Sequence, residues 1–313
     1  MGISREQALE CFASDDLIGI GMEADAVRRR LHPESVVSYA IDGRVDLEGG
    51  LDAACAQVDD VLERGGSGVV LRGGTGLQMV ELERLLAAVR ERFPAVWLHG
   101  LSASGISVAA KVSGVTVPDA VARMRDAGLG SIAGDDAEIL DDAVQRGGHR
   151  CSVADWLGVH RAAHTLGMRT TVAMVFGGGE TMEHRVNHLE AVRRLQEETG
   201  GFTAFTPSAF QMLGSAASIP GWEEATGVEY LKTLAISRMY LDNIENVQAN
   251  LETQGLKVLQ MGLRFGGNDV GSVPEAAPGS GKGIAEEDLR RVIRDAGFRP
   301  VQRDLLYRTM YWN

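Results

Sequence analysis

The sequence predicts an α/β fold with a parallel sheet, and three observations predict it. Short apolar, β-branched runs alternate with longer amphipathic stretches through about six strand–helix units, which places helices outside a parallel sheet through right-handed crossovers. A chain of 313 residues suffices for one large unit of this kind. No Gly-x-Gly-x-x-Gly opens the first unit, which counts against a nucleotide-binding doubly wound sheet and favours a barrel, although periodicity alone leaves both open. Either way, ligands belong at the C-terminal ends of the strands.

The elements follow in order. Ser4 is placed as an N-cap before Arg5-Glu6-Gln7-Ala8-Leu9, a second helix runs from Glu23 to Leu31, and His32-Pro33 stops it. Val36 to Ile41 reads as strand, Leu51 to Leu62 as helix, Gly68 to Leu71 as strand and Met79 to Phe93 as helix. Ala95 to His99 is strand again, followed by helices over Ile106 to Val112 and Pro118 to Ala127. A short strand, Gly130 to Ile132, precedes helices around Ala137 to Val144 and from Val153 to Leu166. Arg169 to Phe176 is the clearest strand, β-branched and apolar. Helix Met182 to Glu198 and strand Phe202 to Phe205 come next, then helices over Val228 to Leu241, Leu251 to Leu263 and Ala285 to Ala296. The stretch Pro274 to Gly283 reads as a flexible loop near the mouth.

Composition narrows the function classes. The formal net charge is -12, with basic residues scattered among acidic ones, which argues against nucleic acid or an anionic membrane as partner. No apolar run is long enough to span a bilayer, and the first residues lack a secretory pattern, so a cytoplasmic protein handling a small-molecule ligand is expected. The three cysteines, Cys11, Cys55 and Cys151, have neither metal-ligand nor redox spacing and read as small buried residues.

Several stretches carry a family pattern: Arg28-Arg29-Arg30-Leu31-His32-Pro33, Leu98-His99-Gly100-Leu101-Ser102, Ala137-Glu138-Ile139-Leu140 and Phe176-Gly177 with Glu180-Thr181. The pattern is strongest in Glu197 to Phe205 and Gly227 to Arg238, and Gly255 to Val258 with Leu263 to Gly266 complete it. In these stretches the chain resembles the dehypoxanthine futalosine cyclase family of radical S-adenosylmethionine (SAM) enzymes. The resemblance implies a partial (β/α)6 TIM-like barrel of the radical SAM type with extra N- and C-terminal helices. The whole chain, 1–313, is then a single domain, with a helical cap over 1–35, a barrel core over 36–206 and closing elements over 207–313.

Departures from the family pattern shape the functional expectation. The family's Cys-x3-Cys-x2-Cys loop after the first strand is absent, since Ile41 to Asp46 runs straight into Leu47-Glu48-Gly49-Gly50. The expectation is therefore no 4Fe-4S cluster, with SAM held weakly or not at all. The family's glycine pair survives as Gly73-Gly74, either a backbone cradle for SAM or an ordinary strand-to-helix turn, with Gly134 as a further cofactor-binding position. Asp135 and Asp136 stand where the family has glycines, to meet ribose hydroxyls or a cationic ligand, or to cap a helix at Ala137.

His99, Glu138 and Glu180 are the candidate catalytic residues, and Tyr39, Arg72, Asp135 and Asn268 the candidate substrate-binding ones. Arg72 can grip a carboxylate or phosphate bidentately, or form a surface ion pair. Glu180, His184 and His188 share a helical face, as do His160 and His164, but a metal is not expected at either group. The expected function is a cluster-free, non-redox enzyme performing a cyclisation, rearrangement or elimination on a small polar, nucleoside-like molecule. Two alternatives are an inactive homologue serving as a ligand-binding or partner subunit, and a protein using SAM as methyl donor or structural ligand. A homodimer, or a mixed dimer with an intact paralogue, is the expected assembly.

Overall fold

The computed structural model describes residues 2–74, 77–144, 151–211, 223–273 and 284–311. Two helices lead the chain, α1 (Arg5–Ala13) and α2 (Leu17–Leu31). Ser4 and Gln7 close a capping box on α1, each side chain binding the other's backbone N–H, and Asp16 caps α2. Then come β1 (Val36–Ala40), β2 (Arg44–Asp46), α3 (Gly50–Glu63), β3 (Gly68–Arg72), α4 (Met79–Arg92), β4 (Trp97–Ser102), α5 (Ala103–Ser113), α6 (Val117–Asp126) and β5 (Ser131–Ala133). The second half contains α7 (Val153–Thr165), β6 (Arg169–Phe176), α8 (Met182–Thr199), β7 (Phe202–Ala209), α9 (Gly227–Tyr240), β8 (Asn246–Val247) and α10 (Leu251–Gly262). The chain finishes through β9 (Asp269–Ser272), α11 (Glu286–Asp295), β10 (Arg299–Arg303) and β11 (Met310–Tyr311).

Strands β2 to β8 form a seven-stranded sheet in chain order, every neighbouring pair parallel. Each crossover carries helices to the outside, where Val58, Leu82, Leu86, Ile106, Val159, Leu189 and Val192 pack their buried faces on the sheet. A second sheet has the order β11-β10-β1-β9, and one parallel bridge from Gln248 to Asp269 joins it to β8. The two sheets together enclose the barrel interior. Helix α2 packs along α9 across the outside.

Two expectations need correction here. The strand read over Val36 to Ile41 is not the first strand of the main sheet; β1 pairs β9 and β10, and the short β2 takes that edge. Beyond 206 the chain supplies the strands β8, β9 and β10. These strands are too short, or too broken by Gly and polar residues, for a period-two pattern to reveal them. The helix expected at Ala137 to Val144 is a series of turns. Glu138 there has φ of 43°, a left-handed backbone that helix cannot continue through, and Asp136 is drawn away to other partners. The loop expected over Pro274 to Gly283 lies outside the described residues.

Candidate functional site

The main cavity, about 560 Å³, opens among the C-terminal ends of the strands. Arg72 ends β3, His99 lies in β4, Asp135 follows β5, and Thr171, Thr206 and Ser208 come from β6 and β7. Alternation along β6 and β7 puts Thr171, Ala173, Thr206 and Ser208 on the half-buried face while Val172, Met174, Phe205 and Ala209 pack into the core. Gln248 and Asn250, just past β8, complete a wall of hydroxyls and amides. Its members bind one another: Thr206 donates to Gln248 Oε1 at 2.7 Å, and Asn250 Nδ2 donates to Ser208 Oγ at 2.7 Å.

A buried arginine, Arg303 at the end of β10, also lines the cavity. Its guanidinium meets both Asp269 oxygens, at 2.6 and 2.7 Å, with the two side chains 3% and 0% exposed. Ser38 Oγ also donates to Asp269, and the Tyr307 ring lies 3.8 Å from the guanidinium. Tyr307, at φ of 60°, accepts a hydrogen bond from Gln248 Nε2 at 2.7 Å. None of this polar floor stands out in the sequence. Its residues come from segments remote in the chain, and no local spacing marks them.

Of the expected site residues, Arg72, His99 and Asp135 line the main cavity together. Arg72 and Asp135 are paired across its mouth, both side chains still open to solvent. A second ion pair, Arg44 with Glu252 at 2.8 Å, ties β2 to α10 nearby. His99 Nδ1 lies 2.8 Å from Ser131 Oγ, and burial pushes the imidazole pKa down to about 4, so the ring is neutral. Gly73 and Gly74 turn the chain after β3 with φ of 76° and 78°, and Gly134 sits so close to Thr171 O that a Cβ would be 2.1 Å from it.

The others lie elsewhere. Tyr39 points out of the barrel, its hydroxyl between Glu286 and Arg290 of α11 at 2.5 Å from each. The alternation of β1 explains the misplacement: Ser38 faces inward to Asp269, so its neighbour must face outward. Asn268 is a buried structural amide, receiving hydrogen bonds from Arg238 and Val247 N and donating to Asn246. Glu138 and Glu180 line a smaller cavity of about 340 Å³ after β6.

Glu180 there is committed to structure. It accepts from Gly177 N at 2.7 Å, Gly178 N at 2.9 Å and Arg185 Nε at 2.8 Å, and its side chain is 3% exposed. Burial alone would raise its pKa; the Gly177 N–H and the Arg185 charge more than offset that and hold the carboxyl below its usual range. Oε1 thereby accepts two hydrogen bonds and Oε2 one, so the carboxylate is held ionised and fixed in its own corner, away from the main cavity.

Asp136 caps a different helix from the one expected, accepting from Ser104 N at the start of α5 and from Trp156 Nε1. His184 accepts from Thr181 N in the α8 capping box, while His188 is buried and accepts from Leu140 N. Among the described residues no three His, Cys, Asp or Glu side chains are grouped to hold a metal ion.

The fold is that of radical SAM enzymes. The structure of methylornithine synthase (PylB) superposes with a TM-score of 0.70 at 13% identity, covering 96% of this chain and 94% of that one. The hydrogenase maturase HydG gives 0.72 at 12% identity, covering 98% and 74%. A radical SAM superfamily model matches residues 51–192, and a CofH/MqnC C-terminal region model matches residues 199–313.

The chain belongs to the radical SAM superfamily, among the futalosine-pathway and CofH-type proteins. It is 30% identical to cyclic dehypoxanthine futalosine synthase of Halalkalibacterium halodurans, over 97% of this chain and 90% of that one, and 32% identical to the Streptomyces coelicolor protein of the same name, over 97% and 85%. It is 37% identical to 5-amino-6-(D-ribitylamino)uracil--L-tyrosine 4-hydroxyphenyl transferase of Methanothermobacter thermautotrophicus, over 80% and 72%.

This membership corrects the expectation of a cluster-free, non-redox enzyme, and with it the two alternatives of an inactive subunit and a user of SAM as methyl donor. The family of synthases and transferases to which the chain belongs depends on a 4Fe-4S cluster and SAM. The cysteines of this chain do not fit that cluster's ligand set by themselves. Cys11 is half-buried on α1, Cys55 is buried in the core face of α3, and buried Cys151 binds Ser104 through both its N–H and its sulfur. Three thiols on separate elements, each turned to its own surroundings, do not converge on one point.

Proposed function

We propose that the chain binds a polar, nucleoside-like small molecule in the main cavity and acts in the cyclase or transferase class to which its relatives belong. The observation that carries this reading is the cavity's composition. Thr171, Thr206, Ser208, Gln248 and Asn250 offer donors and acceptors along one side, facing the neutral His99 and the Arg72–Asp135 pair on the other. Such a lining suits a ligand that combines several hydroxyls with a heteroaromatic or carbonyl group, and the names of the relatives describe molecules of that kind. The chain's own residues bind and orient: the hydroxyl–amide side takes ligand hydroxyls, and Arg72 and Asp135 reach an ionised or strongly polar group at the mouth.

Among the described residues no helix is long and apolar enough to cross a membrane. With the acidic balance of the chain, this supports a cytoplasmic setting and a small-molecule partner within the same proposal. Calorimetric titration with adenosine and inosine tests it. Binding that weakens in Thr206→Val and Ser208→Ala supports the reading, and no heat from either nucleoside at millimolar concentration sinks it.

A further inference from the structure

Trp97, Ser131 and His99 form a short relay on the cavity side of β4 and β5. His99 and Ser131 are direct partners across the two strands, and Trp97 stands two residues before His99 on the same face. Trp97 Nε1 donates to Ser131 Oγ at 2.9 Å, and Ser131 Oγ lies 2.8 Å from His99 Nδ1. The tryptophan is itself fixed: Arg308 stacks 4.7 Å from its ring, and a Cβ on Gly130 would be 2.5 Å from the indole.

The proton positions follow from counting. An indole N–H only donates, so it occupies a lone pair of Ser131 Oγ. Ser131 is 1% exposed and has a single hydroxyl hydrogen, for which no acceptor other than His99 Nδ1 is found among the described residues. A proton on Nδ1 would leave that buried hydrogen unbonded, a costly arrangement away from water. The order that satisfies every group runs from the Trp97 N–H to Ser131 and from the Ser131 O–H to Nδ1.

We infer that Trp97 and Ser131 are positioning residues that hold His99 as the tautomer protonated on Nε2, presenting a neutral hydrogen-bond donor to a carbonyl oxygen or ring nitrogen of the ligand. The relay stands on this chain's geometry, while the ligand rests on the reading under Proposed function. His99 therefore selects ligands bearing an acceptor at that depth and does not act there as a base. Burial keeps the ring neutral near pH 7, which suits this role.

Nitrogen-15 spectra of histidine-labelled protein test the relay, with the His99 signals identified by their loss in His99→Gln. The wild-type ring should show a protonated Nε2 and an acceptor Nδ1. Ser131→Ala should move both resonances toward tautomer averages, and Ser131→Thr should restore them. A wild-type ring protonated on Nδ1, or an unchanged spectrum in Ser131→Ala, overturns the inference; the wild-type spectrum decides even if the alanine variant fails to fold. Adenosine is then added to the wild-type protein. A shift of the Nε2 resonance supports the donor role, and a correctly protonated ring that ignores adenosine counts against the nucleoside reading while upholding the relay.

Discussion

The β4–β5 side of the cavity and the corner between β6 and α8 hold similar ionisable groups and put them to opposite uses. At the first, His99 has one ring nitrogen held by Ser131, and Arg72 and Asp135 hold each other at a solvent-open mouth. At the second, Glu180 and Arg185 are each 3% exposed and bonded several times over: Arg185 also binds Glu229 at 2.5 Å and Thr233 at 3.2 Å, both on α9, and lies 4.5 Å from the Phe176 ring. The difference lies in how many partners remain to be found, not in residue type. A group held by few partners faces the main cavity, and a group held by several is part of the frame.

The largest effect that tests this contrast is on stability. Glu180→Gln strips the charge from a buried pair and should cost about 3 kcal/mol in urea unfolding, since Arg185 keeps only Glu229 as a charged partner. A loss below about 1 kcal/mol, the typical effect of one substitution, would show that the corner is not the frame described. His99→Gln should instead remain near wild-type stability and lose nucleoside binding, and the reverse result would exchange the roles of the two regions.

Next in size is His160, which is fully buried against Trp156 with neither ring nitrogen bonded among the described residues. Removing that unsatisfied polarity without losing a hydrogen bond, His160→Phe should stabilise the fold by about 1 kcal/mol, read as a raised midpoint in thermal melts. It also bears on pH. Burial depresses the folded pKa of His160 well below the ordinary value, those of His164 and His99 to about 4, and that of His188 to about 3. The folded state thus keeps these rings neutral while the unfolded chain takes up protons below its ordinary value of about 6.5. Stability should be complete above that pH and fall as pH drops from about 6.5 toward 4. His160→Phe should flatten the slope, and a parallel slope in the variant would remove His160 from the account.

Smaller effects belong to the rim. Arg72→Ala breaks a pair whose side chains are 45% and 36% exposed, so stability should change by less than about 1 kcal/mol while nucleoside affinity falls. Tyr39→Phe, on the outer face, should leave affinity untouched; weakened binding would mean that β1 faces the other way. Replacing Cys11, Cys55 and Cys151 by Ala together should leave the iron content after anaerobic reconstitution equal to that of the wild-type protein, because the three do not converge. A difference in bound iron would break that geometric statement.

Much of the fold is legible in the sequence because helices and long strands announce themselves locally. Arg169 to Phe176 and Met182 to Thr199 show their periods within a single window, and Ser4 signals its cap three residues from Gln7. The site is legible only in part. Arg72 and His99 lie in strands, and Asp135 just after one, that the apolar runs already mark, so their place at the cavity follows from the fold class. Tyr39 and Glu180 sit as close to strand ends, yet nothing in their immediate sequence says that α11 would take one and Arg185 the other.

By itself the amino-acid sequence determined the alternation of strands and helices, the resemblance to the family and the residues available at the strand ends. Tertiary structure alone decided that Asp269, Arg303, Tyr307 and Gln248 meet in one floor, that β1 turns Ser38 inward and Tyr39 outward, and that Ser131 stands behind His99. The physical reason is range. Periodicity and capping act over a few residues, whereas the bonds that commit or release a polar side chain join segments as far as 251 residues apart and exist only once the barrel has closed.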